Sequence, residues 1–222
     1  MGKLSSQLAF QTARVSMSKT APHRKLVKHY HEPGDFHELT FSCYHQIPLL
    51  TNDPWRKWLS ESIDAALATH AFHLNAFVFM PEHVHLLVWP TLSETTEEDI
   101  SRFLAEVKRP VSRRVKEALR DSLANPHSAR LLKRLTIRNR PDSTAFRFWQ
   151  EGPGYDRNLQ TEQSVSASID YIHNNPVRRG LVKAATDWKW SSARWYASGG
   201  EHVDPDLPTL HFPPRDLYAP TI

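Results

Sequence analysis

Two stretches of this chain carry residue types that do chemistry. The first is Pro81-Glu82-His83-Val84-His85-Leu86-Leu87-Val88-Trp89. On a strand, residues two apart face the same side, so His83 and His85 would present two imidazoles together while Val84, Leu86 and Val88 point into a core. Two neutral ring nitrogens on a rigid strand make half a metal site. The plainer reading is two histidines on the open side of a half-buried strand, because two ligands rarely hold a metal. The second stretch is Asp170-Tyr171-Ile172-His173-Asn174-Asn175-Pro176-Val177. Here Tyr171 falls about 200° around a helix from Ile169, off the apolar stripe. Tyr171 and Asn175 are four apart and share a helical face. A phenol with a reference pKa near 10 is a weak nucleophile, but a metal and a polarised phosphate beside it would remedy that. The plainer reading is a hydroxyl anchoring a helix end. Asn175 precedes a proline, which biases it away from the helical region. It is either the last residue of that helix, or the N-cap of a following one with its side chain on backbone amides.

The elements that must position these residues can be read from periodicity. A first strand runs from His37 to Leu50, ended by Pro48. Asn52-Asp53-Pro54 is an N-cap with proline at the helix start, and Trp55, Trp58, Leu59, Ile63, Ala66 and Leu67 recur at helical spacing, predicting a helix over 54–71. Leu74–Met80 and His83–Trp89 are two more strands with a short break between them. Thr95-x-x-Glu98 resembles a capping box opening a helix with Ile100, Phe103, Leu104 and Val107 on its apolar side, and Pro110 should kink or split it. Residues 121–145 are polar and basic, with a loop around Asn125-Pro126; Phe146–Trp149 is extended and Gly152-Pro153-Gly154 a loop. Thr161–Asn174 is a helix, closed shortly after by Gly180. No crossover helix separates the second and third strands. The class is therefore α+β, a sandwich around a mostly antiparallel sheet.

Composition sets the bounds. With 222 residues and 40% hydrophobic content, the chain suffices for one domain with a core. Its single cysteine, Cys43, excludes an intrachain disulfide and reads as a small core residue in a cytoplasmic protein. No run approaches the roughly 20 apolar residues that span a bilayer, and the first residues lack an apolar signal core. Net charge is +4, but twelve Lys or Arg against three acids over 102–140 make that segment +9 and the remainder −5. A segment this lopsided suits a polyanion, with Lys108, Arg109, Arg113 and Arg114 as phosphate contacts and Arg178 and Arg179 doing the same near the second cluster. Trp89 and Trp149 are either base-stacking or core residues.

Taken together, Pro81-Glu82-His83-Val84-His85 and Tyr171-Ile172-His173-Asn174-Asn175-Pro176-Val177-Arg178-Arg179-Gly180-Leu181-Val182 resemble the REP-associated tyrosine transposases, a group of the single-tyrosine HUH transposases. Phe148-Trp149-Gln150, Tyr155-Asp156-Arg157-Asn158 and Trp188-x-Trp190-Ser191-Ser192 resemble the segments flanking that group's catalytic helix. Each motif is modest alone; their order and spacing over roughly residues 25–197 are specific.

The resemblance implies a ferredoxin-like sandwich, its helices packed on one face of the sheet, with His83 and His85 on a central strand. It implies Tyr171 as nucleophile, Asn175 as third metal ligand, and Mg²⁺ or Mn²⁺ as the ion. It implies single-stranded or hairpin DNA as partner, cut to a 5′-phosphotyrosine and a free 3′-hydroxyl that can rejoin it, by a monomer or homodimer. The expected layout is a tail over 1–24, the transposase domain over 25–198 with a basic insertion at about 121–145, and a second tail over 199–222. Glu82 is expected to shape its turn, and His173, two residues from Tyr171, to point away from it. The rival readings are a DNA-binding protein that keeps the fold without cutting, a metal-dependent hydrolase that uses water, and a purely structural protein whose basic cluster is idle.

Overall fold

The computed structural model describes residues 35–91, 100–152 and 154–214. Four strands form an antiparallel sheet: β1 (Phe36–Ser42), β2 (Phe72–Phe79), β3 (His83–Pro90) and β6 (Tyr155–Leu159), in the order β2-β3-β1-β6. The strands β4 (Thr136–Arg140) and β5 (Ser143–Phe146) form a separate hairpin. The helices are α1 (Asp53–His70), α2 (Ile100–Asp121), α3 (Pro126–Leu135), α4 (Glu162–Arg178) and the short α5 (Ala193–Ala197). The antiparallel α+β sandwich is the one expected.

The pleat sorts side chains into two layers. Leu39, Phe41, Phe77, Phe79, Val84, Leu86 and Val88 pack with Leu59 and Ile63 of α1 and Phe103, Val107 and Val111 of α2. Ala76, Val78 and Leu87 face the other way, against Val165 and Ile172 of α4. Helices on one face therefore describes α1 and α2 only. α4 covers the opposite face, because Val165 and Ile172 give it an apolar stripe of its own to bury. A bulge between Leu74 and Ala76 resets the alternation of β2. Leu74 and Phe77 both face the α1–α2 layer as a result, and Val78 falls opposite His85 on the α4 side.

Several expected boundaries move. The first strand stops at Ser42, well before Pro48, because its partner β3 begins opposite it at His83. A turn follows, with His45 and Gln46 at positive φ. α1 forms as read, with the Asn52 side chain accepting from the Trp55 amide at 3.2 Å. Pro110 lies inside an unbroken α2. That helix is pinned by seven buried apolar residues between Ile100 and Leu119, and this packing outweighs one lost backbone bond. The Thr95 capping box lies outside the described residues. The loop at Asn125 is brief: its side chain accepts from the His127 amide and starts α3, whose Leu131 and Leu132 rest on the core. β6 was not legible as a strand. Its Tyr-Asp-Arg-Asn-Leu sequence is polar, and among the described residues it is an edge strand paired with β1 alone. Residues 200–214 form a strap, with Leu207 and Leu210 on the core and the His211 amide donating to the Leu74 carbonyl at 2.9 Å; the rest of the expected tail lies outside the described residues. Among the described residues no helix is long and apolar enough to cross a membrane.

Candidate active site

The α4 face of the sheet carries the polar cluster. Ser42 pairs in register with His83, and Thr40 with His85, so these four side chains share the face that α4 covers. α4 starts with a capping box in which Thr161 and Ser164 exchange side-chain and backbone bonds. It continues through Asn175 and Pro176 to Arg178, so Asn175 is neither the last helical residue nor an N-cap. Burial of Ile172, Asn175 and Pro176 holds the turn helical despite the bias before proline. The helix then closes in a Schellman motif: Gly180 adopts φ 67°, its amide donates to Val177, and the Leu181 amide donates to Pro176.

Three of the four expected residues meet around the fourth, His85. The Asn175 amide nitrogen lies 3.1 Å from His85 Nε2. The rings of His83 and His85 are 4.9 Å apart and nearly perpendicular. The Tyr171 ring stands edge-on to His85 at 5.5 Å, and the residue is 39% exposed. His85 is buried, and burial together with His83 pulls its pKa down to about 3. Burial also lowers His83, opposed by the carboxylate of Glu82. Both rings are neutral at physiological pH, the form in which imidazole binds metal.

Each imidazole has a partner at Nδ1. Thr40 Oγ1 is 2.8 Å from His85 Nδ1, and Glu82 Oε1 is 3.2 Å from His83 Nδ1. With Asn175 donating to Nε2, the His85 proton sits on Nδ1 and goes to Thr40. That arrangement of outer partners is the one metal-bound histidines use. Two imidazole nitrogens and an amide suit a six-coordinate divalent ion with several positions left for water or phosphate. The amide would offer its oxygen after a half-turn of its terminal group, since the two ends are sterically alike. Among the described residues no three His, Cys, Asp or Glu side chains cluster as a metal site.

The cationic residues divide. Arg178 lies over the Tyr171 ring at 5.3 Å, and Arg179 donates to Glu82 Oε1 at 2.7 Å, so both stand at the site. α2 lies across the sheet from it. Arg109, Arg113 and Arg114 line a groove between α1 and α2, where Arg114 pairs with Glu61 and lies over Trp58. Lys108 does not stand out in solvent. It follows the buried Val107, its ammonium lies 4.8 Å over the Phe41 ring, and burial lowers its pKa to about 8. Trp149 is core, its indole donating to the Lys108 carbonyl, and Trp89 stacks on Phe36. His173 turns away, as expected, to bond Ser192 Oγ at 2.8 Å.

Sequence reasoning passed over Thr40, and with it Glu38, which accepts from Arg157 at 2.7 Å and Ser168 at 3.0 Å between β1, β6 and α4. The available signal was polar residues alternating with Leu39 and Phe41 along β1. It takes the β1–β3 register to turn that alternation into a contact.

This chain resembles known proteins in sequence and in fold. No protein-family model matches it. Over 121 residues it is 28% identical to a REP-associated tyrosine transposase of Escherichia coli (strain K12), an alignment covering 54% of each protein. Over 125 residues it is 27% identical to a Haemophilus influenzae protein that carries the same name provisionally, covering 55% of this chain and 60% of that one. The chain thus spans about half the length of the curated relatives it matches. A solved REP-associated tyrosine transposase bound to a REP hairpin superposes with a TM-score of 0.56 at 21% identity, over 82% of this chain and 90% of that one. The fold is shared with that structure, and the resemblance to REP-associated tyrosine transposases holds in sequence as well.

Proposed function

We propose that this protein is a transposase-like enzyme that cuts and rejoins single-stranded or hairpin DNA, with Tyr171 as nucleophile. The convergence of Tyr171, His83 and Asn175 on His85, from elements far apart in the chain, carries this reading. The similarity to transposases supports it, and the solved relative is bound to a hairpin.

In the proposed step the Tyr171 oxygen attacks the scissile phosphorus, the bond to the 3′-oxygen breaks, and a 5′-phosphotyrosine forms. The phenol proton leaves the nucleophile and the departing 3′-oxygen ends protonated. Attack by that 3′-hydroxyl reverses the exchange with no outside energy. His83, His85 and Asn175 would hold Mg²⁺ or Mn²⁺, which draws charge from a non-bridging phosphate oxygen when bound. Arg178, against the Tyr171 ring, is placed to offset phosphate charge at the point of attack. Thr40 and Glu82 hold the two imidazoles through their Nδ1 atoms.

The test is a denaturing gel of labelled single strands carrying hairpins, incubated with Mn²⁺ and either the full chain or its Tyr171→Phe variant. The expected result is a protein–DNA adduct with the first and none with the second. Cleavage without an adduct would mean that water attacks, and intact DNA with both proteins would leave a DNA-binding protein.

A further inference from the structure

We propose that Glu82 is a positioning residue, a joint that holds the His83 ring and the end of α4 in one arrangement. The inference rests on reading His83 as a metal ligand. Glu82 lies in the turn between β2 and β3, its side chain only 13% exposed. One oxygen, Oε1, accepts from Arg179 Nη1 at 2.7 Å and from His83 Nδ1 at 3.2 Å. A carboxylate oxygen accepts, so His83 Nδ1 carries the proton that it donates to Glu82. The lone pair of Nε2 is thereby kept for a ligand role.

The side chain is not needed to shape its turn. The backbone does that: the Cys43 amide donates to the Glu82 carbonyl at 2.8 Å, Leu50 to Pro81 at 2.9 Å, and Met80 to His83 at 2.9 Å. The carboxylate is left for the contact between layers. Arg179 directly follows α4, one turn after Asn175 and two after Tyr171. Glu82 therefore ties the orientation of a ring on the sheet to the helix end that bears the other site residues. This role differs from both expectations for the pair, in which Glu82 formed a turn and Arg179 met DNA.

The experiment is Mn²⁺ titration of the DNA-free full chain, followed by the electron paramagnetic resonance of unbound Mn²⁺. ¹⁵N resonances of the His83 ring are recorded on the metal-free protein alongside. Glu82→Ala is expected to weaken Mn²⁺ roughly ten- to a hundred-fold and to release the ring from its Nδ1–H tautomer. Arg179→Ala weakens Mn²⁺ by less, and Arg179→Lys recovers part of the loss. Glu82→Met, similar in length and without an oxygen to accept from His83 or Arg179, serves if the alanine variant does not fold. Unchanged affinity and tautomer in the Glu82 variants overturn the joint while leaving the metal reading intact. Wild-type protein that takes up no Mn²⁺ overturns the metal reading, and the role of Glu82 with it.

Discussion

Acid should unfold this protein through two buried histidines, and the size of the effect follows from their surroundings. His85 is 5% exposed and His173 8%. Burial lowers the first to about 3, aided by His83, and the second to about 4, against the opposing pull of Asp170. In the unfolded chain both titrate near 6.5. Below that pH the unfolded state binds protons that the folded state refuses, so stability falls as pH falls. It is full above about 6.5 and continues to drop until the folded values are reached. Between pH 7 and pH 5 each group removes ~2 kcal/mol, or ~4 kcal/mol together. Domains of this kind are stable by only ~5–15 kcal/mol, so the loss is a large share. Urea melts at pH 7, 6 and 5 with EDTA present would measure it. His173→Gln keeps an acceptor or donor for Ser192 and cannot titrate, so it should cut the difference between pH 7 and pH 5 by about half, ~2 kcal/mol. An unchanged difference in that variant would refute the assignment of acid sensitivity to His173.

Two further outcomes follow from the site's supports. Gly154 has φ +82°, and a Cβ there would sit 2.3 Å from the Thr40 carbonyl oxygen. Gly154→Ala should therefore cost at least ~1 kcal/mol in a urea melt and also reduce adduct formation, since the strand it displaces holds His85 through Thr40. Arg178→Ala, beside Tyr171, should lower adduct formation more than Arg113→Ala, which lies in the layer beyond the sheet. Adduct yield at matched DNA occupancy measures this, and equal losses would count against it.

Much of the fold was legible because it is written in local patterns. The stripe of α1, its Asn52 cap, the hairpin of β2 and β3 and the closure at Gly180 depend on residues within a turn or two of one another. His83 and His85 share a face by pleat alone, and Tyr171 and Asn175 by helical period alone. What sequence could not supply was the partner of each. The side of the sheet on which α4 lies, the Thr40–His85 and Glu82–His83 contacts, and the capture of Arg179 depend on strand register and layer packing between distant segments. Asn175 marks the division. Read locally, a residue before proline ends a helix or caps the next. Packed against the sheet, it stays helical, and its amide reaches His85 because burial of Ile172 and Pro176 outweighs the local bias. Residue type and spacing determined which groups could act, and tertiary packing decided which of them meet.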